Sequence, residues 1–232
     1  SGNILTQIMA QEIIDACNLI KQDDEIRVVI ITGSGDVFCR GNESEQRAKK
    51  KNTTHDRIYP VAAAIAALEI PVLCAINGDA LGQGLEIALA CDIRIAVESA
   101  RFGFPDAALG FIPADGGTQR LPRIIGKSPA LEMIFSAAAI DAGQAREIGL
   151  VSAVVATGAL IPRIEAMAQS MAEKAPVAFR YIKEAVNQGL DVALEQGLKL
   201  EADLYFLLHT TEDRTEGIHA FQQKRTPKFK GK

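Results

Sequence analysis

Two acids stand beside glycine turns in this chain. Glu86 closes the segment Ile76-Asn-Gly-Asp-Ala-Leu-Gly-Gln-Gly-Leu-Glu86, and Asp106 follows Phe102-Gly-Phe-Pro105, twenty residues further on. Adding water across a double bond needs one group to accept a proton from water and another to deliver one to carbon. Paired carboxyls in a poorly hydrated pocket suit that task. Taken singly, an acid in either position is more often a cap or a salt-bridge partner.

The glycines around Glu86 add a second kind of chemistry. Gly78, Gly82 and Gly84 place a flexible turn directly after one apolar run and directly before another. Where a turn and a helix start coincide, the amides of the first helical turn have no partner in their own helix and lie at the positive end of its dipole. They favour an oxygen bearing negative charge. Gln83 carries the amide that fits best. A plain strand-to-helix turn explains one glycine comfortably and three less well. A second loop, Ser34-Gly-Asp-Val-Phe-Cys-Arg-Gly-Asn42, closes the run that ends at Gly33 and offers further unpaired donors. Two donors converging on one oxygen make an oxyanion hole. The competing dinucleotide fingerprint is poorly met: Gly33-Ser-Gly35 lacks the third glycine, and Val37-Phe38-Cys39 does not begin an apolar-periodic helix.

These loops need elements to hold them. Ile8, Met9, Ile13, Ile14, Cys17 and Ile20 recur at helical spacing, predicting a core-facing helix over Leu5 to Ile20 with Asn3 as its cap. Arg27-Val-Val-Ile-Ile-Thr-Gly33 reads as a strand buried on both faces. Ser34 to Asn52 is polar and irregular, with Lys49-Lys50-Lys51 solvated. A helix over about Asp56 to Leu68, the strand Pro71 to Asn77, a helix from about Gly82 to Ala90 and the strand Ile93 to Val97 follow in alternation, the pattern of an α/β core. Beyond Gly116 the chain reads as helical apart from a strand over Val151 to Val155, with Pro176, Gly189 and Gly197 near helix ends. From about Ala178 the helices are amphipathic, with Leu190, Leu194, Leu198, Leu204, Leu207 and Leu208 as apolar positions. Packing on another subunit and packing on the chain's own core explain that stripe equally well.

Bulk composition narrows the classes. With 232 residues, 48% of them hydrophobic and 23% charged, the chain can bury a full core, as one domain with room for a smaller appendage. A net charge of -4 argues against a broad nucleic-acid or anionic-membrane footprint, although Lys224 to Lys232 is locally basic. Cys17, Cys39, Cys74 and Cys91 show no CxxC spacing, and His55, His209 and His219 show no metal-ligand spacing, so no metal is expected. The cysteines favour a reducing compartment. The longest uncharged stretch, Ile148 to Pro162, is broken by Gly149, Ser152, Thr157, Gly158 and Pro162 and falls short of the ~18 apolar residues of a membrane span. No signal peptide is read. The expected location is the cytoplasm, and a removed organelle-targeting segment leaves the mitochondrial matrix open. No Gly-x-Ser-x-Gly elbow supports a serine hydrolase.

Taken in order, Ala75-Ile-Asn-Gly-Asp-Ala-Leu-Gly-Gln-Gly-Leu-Glu86, Ala90-Cys-Asp92, Phe102-Gly-Phe-Pro-Asp106 and Ile112-Pro-Ala-Asp-Gly-Gly-Thr-Gln-Arg-Leu-Pro122 resemble the signatures of the crotonase (enoyl-CoA hydratase/isomerase) family. The likeness continues through Ala142-Gly-Gln-Ala-Arg-Glu-Ile-Gly-Leu-Val151 to Glu216-Gly-Ile-His-Ala-Phe-Gln-Gln-Lys-Arg225 and covers nearly the whole chain. It is highly specific for family and weakly specific for reaction.

The resemblance implies an α/β fold: a ClpP-like spiral of ββα units over residues 1–175, lacking the first strand pair, then a helical trimerisation region over 176–232. It implies an acyl-CoA thioester substrate, no cofactor beyond the coenzyme A that the substrate carries, and a homotrimer or homohexamer. Glu86 and Asp106 match the hydratases' two acids, and the backbone amides of Asn42 and Gln83 match the two oxyanion donors. Arg40, Gly82 and Asp115 fall where substrate is contacted, and Phe221 and Lys224 match tail residues that hold coenzyme A, often across a subunit boundary. The implied reaction is reversible hydration of a 2-enoyl-CoA, with enoyl-CoA or dienoyl-CoA double-bond isomerisation as the alternative. A noncatalytic acyl-CoA-binding or RNA-associated member would have lost the acids or the glycine turn, and neither is lost here.

Several positions depart from the family pattern. Asp106 is one methylene shorter than the usual glutamate, Gln83 and Asn42 are bulkier than the usual small residues, and Arg40 and Glu43 differ from the commonest loop. Asp115 is a third acid, read either as a proton shuttle or, the favoured reading, as an N-cap for the helix beginning near Gly116.

Overall fold

The computed structural model describes residues 2–42 and 59–232. The expectations for Lys49 to Lys51, His55, Glu43 and the start of the helix over about Asp56 to Leu68 fall outside the described residues. By compactness the chain divides into two units. The first comprises residues 1–20, 30–68 and 72–165, and the second 21–29, 69–71 and 166–232.

The first unit is a mixed α/β structure. Its main sheet has the order β1 (Val29–Thr32, in this unit from Ile30 on), β2 (Val72–Ile76), β4 (Ile93–Val97), β7 (Ala153–Val155). β2 pairs in parallel with β4, Leu73 opposite Ile93, and β4 pairs in parallel with β7, Ile95 opposite Ala153. All five residues of β2 are buried, as its unbroken apolar run predicts. A smaller sheet joins β3 (Ala80–Leu81) in parallel with β5 (Arg101–Gly103), and β5 antiparallel with β6 (Ile140–Asp141). Phe102, Phe104, Leu73, Ile76, Leu85, Ile95 and Leu121 form the core, each worth about 1.5–3 kcal/mol of transfer free energy.

Two expectations for the N-terminal segment are corrected. β1 is not buried on both faces: it stands at the edge of the described sheet, its residues alternate between half-buried and exposed, and Ile30 is 36% accessible. A β-branched run is the same for an edge strand and a central one; only the number of neighbours differs. α1 (Gln7–Ile20) is capped by Thr6, whose Oγ1 accepts the Met9 amide at 3.2 Å, rather than by Asn3. The helix turns Ala10 and Cys17 inward and leaves Ile8 and Leu19 exposed. Asn3 instead donates from Nδ2 to the carbonyls of Ser34 (2.9 Å) and Val37 (2.6 Å). Asn77, at the end of β2, holds the same loop: it donates to the Gly33 and Gly35 carbonyls and accepts the Gly33 amide at 2.9 Å. Cys39 then bridges to Ala80, so the loop runs on beside β3.

Helices α2 (Val61–Ala66), α3 (Gln83–Ala90), α4 (Gly117–Ile125) and α5 (Lys127–Ser136) pack in succession on one another, and α6 (Ala142–Glu147) packs on β5, β6 and β7. α7 (Leu160–Ala172) begins in the first unit. Arg94 braces the end of α3, its guanidinium donating to the Cys91 carbonyl at 2.6 Å and to that of Leu150 at 2.8 Å.

The second unit carries α8 (Pro176–Gly189), α9 (Leu194–Leu208) and α10 (Glu212–Gln222). Pro176 and Gly189 sit at the helix ends that their chemistry predicts, while Gly197 lies inside the first turn of α9. The last residues fold back on α10: buried Asp213 accepts the amides of Lys230 (2.6 Å) and Gly231 (2.8 Å), and Glu216 accepts the Lys228 amide and a two-pronged ion pair from Arg225. Among the described residues no helix is long and apolar enough to cross a membrane.

Candidate active site

Backbone shape builds the site. Gly82 adopts φ +53 and ψ -127, a conformation that side-chain-bearing residues avoid, and its carbonyl accepts the amides of Leu85 (3.0 Å) and Glu86 (3.2 Å) to start α3. The Gln83 amide is therefore one of the helix-start donors that its own helix leaves without a carbonyl. The neighbouring glycines are needed for closeness. A Cβ on Gly84 would lie 2.1 Å from the Cys39 carbonyl oxygen, one on Gly78 2.0 Å from that of Asp36, and one on Gly33 2.1 Å from that of Val37. The backbone of Asp36 to Cys39 thus occupies the volume of three missing side chains. That approach carries Gly41 so near that a Cβ on it would lie 2.9 Å from the Gln83 nitrogen, and Asn42 follows directly.

Asn42, Gly82, Gln83, Glu86, Asp106 and Asp115 line one pocket, walled by Phe104, Ala107, Ile112, Pro113 and Ala114. Of the predicted site residues in this unit, only Arg40 is elsewhere: its guanidinium pairs with Asp79 at 3.1 Å and is half exposed. Phe221 and Lys224 belong to the second unit. Phe221 is strongly exposed on α10, and Lys224, with φ +53, lies just past that helix.

Glu86 is 4% accessible, and one of its oxygens, Oε1, accepts the amides of both Asp115 (2.8 Å) and Gly117 (2.7 Å). Burial raises its pKa above the usual carboxylate range. The two amides and Arg120 pull it down, and the charge of Asp115 pushes it up. Room for this arrangement depends on Gly117, where a Cβ would lie 3.0 Å from Glu86 Oε1 and 2.8 Å from Pro113 Cβ. Asp106 enters on a 3-10 helix, Pro105–Leu109, and its Oδ2 lies 2.8 Å from where a Cβ on Gly82 would be. The shorter acid is thus held tight against the glycine turn.

Asp115 departs from the favoured reading. Gly116, not Asp115, is the N-cap of α4, and no side chain caps that helix. The Asp115 carboxylate, 6% accessible, crosses to another helix and accepts the Ala62 amide in the first turn of α2 at 2.7 Å. It also accepts the Gln83 Nε2 at 3.1 Å, and Gln83 donates to the Tyr59 carbonyl as well, so the bulkier side chain is drawn into hydrogen bonds. Among the described residues the Asn42 Oδ1 is buried without a partner.

Sequence reasoning missed the Asp115 and Gly117 amides, Arg120, and the Tyr59 and Ala62 backbone groups. The Gly116-Gly117 pair was the available signal for close approach; nothing local pointed to Ala62. Among the described residues no three His, Cys, Asp or Glu side chains could hold a metal ion.

A buried acid hydrogen-bonded by two amides, a second acid pressed on a glycine turn, and Asn42 and Gln83 from two loops line one pocket. The sequence profile described as enoyl-CoA hydratase/isomerase matches residues 1–232, and the chain belongs to that family. It is 41% identical to the 2,3-dehydroadipyl-CoA hydratase of Escherichia coli (strain K12), over 99% of this chain and 91% of that one. It is 40% identical to the mitochondrial methylglutaconyl-CoA hydratase of Homo sapiens, over 99% of this chain and 70% of that one. The crystal structure of an enoyl-CoA hydratase from Bacillus anthracis superposes with a TM-score of 0.95 at 40% identity, covering all of this chain and 92% of the other. The α/β fold that the resemblance implies is shared with that crystal structure.

Proposed function

We propose that this chain is an enoyl-CoA hydratase, adding water reversibly to a 2-enoyl-CoA thioester. The observation that carries the reading is one pocket lined by Asn42, Gln83, Glu86 and Asp106. The amides of Asn42 and Gln83 stabilise the charge that grows on the thioester oxygen as water oxygen bonds to the β-carbon. Glu86 and Asp106 hold that water, one accepting its proton and the other giving a proton to the α-carbon. Glu86, its pKa raised by burial, exchanges protons more readily near neutral pH than an ordinary glutamate. Gly82 contributes shape, and the oxyanion donors the largest effect, since losing one such donor costs about 10²–10³ in turnover.

The finer readings are proposals of the same kind. Coenzyme A arrives as part of the substrate and no other cofactor takes part. Arg40, and Phe221 and Lys224 from the tail, contact the coenzyme in a homotrimer or homohexamer whose interface uses the exposed Ile182 and Val186 of α8 and the exposed leucines of α9, and the reaction serves fatty-acid and lipid metabolism. Four buried thiols, none in a disulfide, support a reducing compartment, cytoplasm or mitochondrial matrix. A thioester screen with mass detection tests the reaction. Hydration of crotonyl-CoA is expected; inertness on 2-enoyl thioesters with turnover of 3-enoyl or dienoyl thioesters would overturn it in favour of an isomerase.

A further inference from the structure

We propose that Asp115 is a positioning residue that sets both halves of the site at once: its carboxylate holds the Gln83 side chain, and its own peptide amide holds the Glu86 carboxylate. The inference rests on the hydratase reading.

The geometry is a chain of short links. From the Asp115 carboxylate, one contact reaches Gln83 Nε2 at 3.1 Å and another the Ala62 amide at 2.7 Å. From the same residue, the peptide N–H reaches Glu86 Oε1 at 2.8 Å, and the carbonyl receives Arg120 at 2.8 Å. Gln83 and Glu86 occupy the first turn of α3, so Asp115 touches that turn on two sides. Rotating the Asp115 peptide would move Glu86; releasing its carboxylate would leave the Gln83 side chain, on the residue whose amide is proposed to face the thioester oxygen, held by the Tyr59 carbonyl alone. A displacement of about 1 Å at such a site costs on the order of 10²-fold.

The charges facing Glu86 are few. Asp115 and Arg120 come from the segment entering α4 and from that helix, and Asp106 lines the same pocket; α2 and β3, which also pack near α3, carry no titratable side chain. Among these, Asp115 adds a repulsion that opposes ionisation of Glu86.

The test uses the full chain and crotonyl-CoA. Asp115→Ala and Gln83→Met should each lower kcat about 10- to 100-fold with KM changed by less than about threefold. The double variant should lose clearly less than the product of the two single losses, because both cut the Gln83–Asp115 link while each also cuts one bond of its own, to Tyr59 or to Ala62. Asp115→Asn keeps an acceptor oxygen and should recover part of the loss. By removing one negative charge, it should also move the acid limb of the kcat/KM profile to lower pH. Additive losses in the double variant, or an unmoved acid limb in Asp115→Asn, would overturn the proposal. If the wild-type chain is inert on 2-enoyl thioesters, the hydratase reading fails instead. In that case carbon-13 NMR titration of the Glu86 carboxyl in wild type and Asp115→Asn still decides: a lower pKa in the variant supports the link, and an equal one rejects it.

Discussion

Helices α3 and α8 are built on opposite terms. Every one of the eight residues of α3 is buried, Glu86 and Gln83 included, whereas none of the fourteen residues of α8 is. α9 likewise buries only Leu204 and leaves Leu194, Leu198, Tyr205 and Phe206 between 55% and 77% accessible. An acid inside a closed shell has its proton affinity set by the chain itself; large apolar side chains left open describe a surface completed by something else. The contrast therefore sets the part of the chain that holds the pocket apart from the part proposed to assemble.

The largest effect should come from the closed side. Glu86→Gln keeps an acceptor oxygen for the Asp115 and Gly117 amides and removes the group proposed to exchange protons, so kcat for hydration should fall about 10³-fold. The same change should raise heat stability at neutral pH. Burial lifts the folded carboxyl above its unfolded value near ~4.3, so its contribution is complete below that pH and is lost as pH rises through the lifted value. A thermal melt series against pH should show the variant gaining on wild type as pH increases; a constant gap would contradict the burial account.

A smaller loss is expected at Gly117. A methyl group there meets Pro113, Glu86 Oε1 and Phe104 Cε1 at 2.8–3.0 Å, so Gly117→Ala should reduce turnover and destabilise the fold by about 1–3 kcal/mol in denaturant titration. On the open side, Leu198→Asp with Phe206→Asp should leave the far-UV circular dichroism unchanged while light scattering reports a smaller assembly. Retention of the wild-type mass would remove α9 from the interface. The smallest effect concerns the tail. The Arg225 pair and the Lys228 amide hold Glu216 at a pKa of about 2, so the tail's anchoring is intact above the ordinary carboxylate range and is released as pH falls toward that value. Hydrogen exchange at Lys228 should accelerate in that window, and at neutral pH in Glu216→Gln.

What could be read from sequence follows from how local each cause is. β2 and α3 were legible because an unbroken apolar run and a glycine-opened helix state their own environment. Glu86 and the Gln83 amide stand out through one glycine turn and Asp106 through the turn Phe102-Gly-Phe-Pro105, and all three residues line one pocket. β3 and β6, two residues each, carry no period to detect. Asn3 and Asp115 were read as caps because their residue types cap neighbours; both in fact bond across the fold, Asn3 to a loop more than thirty positions away and Asp115 to a helix 53 positions back. The role of β1 depended on how many strands flank it, which its own letters do not state.

The carbonyls of Asp36, Val37 and Cys39 fill the spaces above Gly78, Gly33 and Gly84. Tolerance to substitution along this stretch should therefore be inverted from the usual rule. At residue 36, exposed and engaged through its main chain, many amino acids should be accepted. At the three hydrogen-only positions even alanine should fail in a saturation library, and a variant that survives there would have to have moved the entire loop.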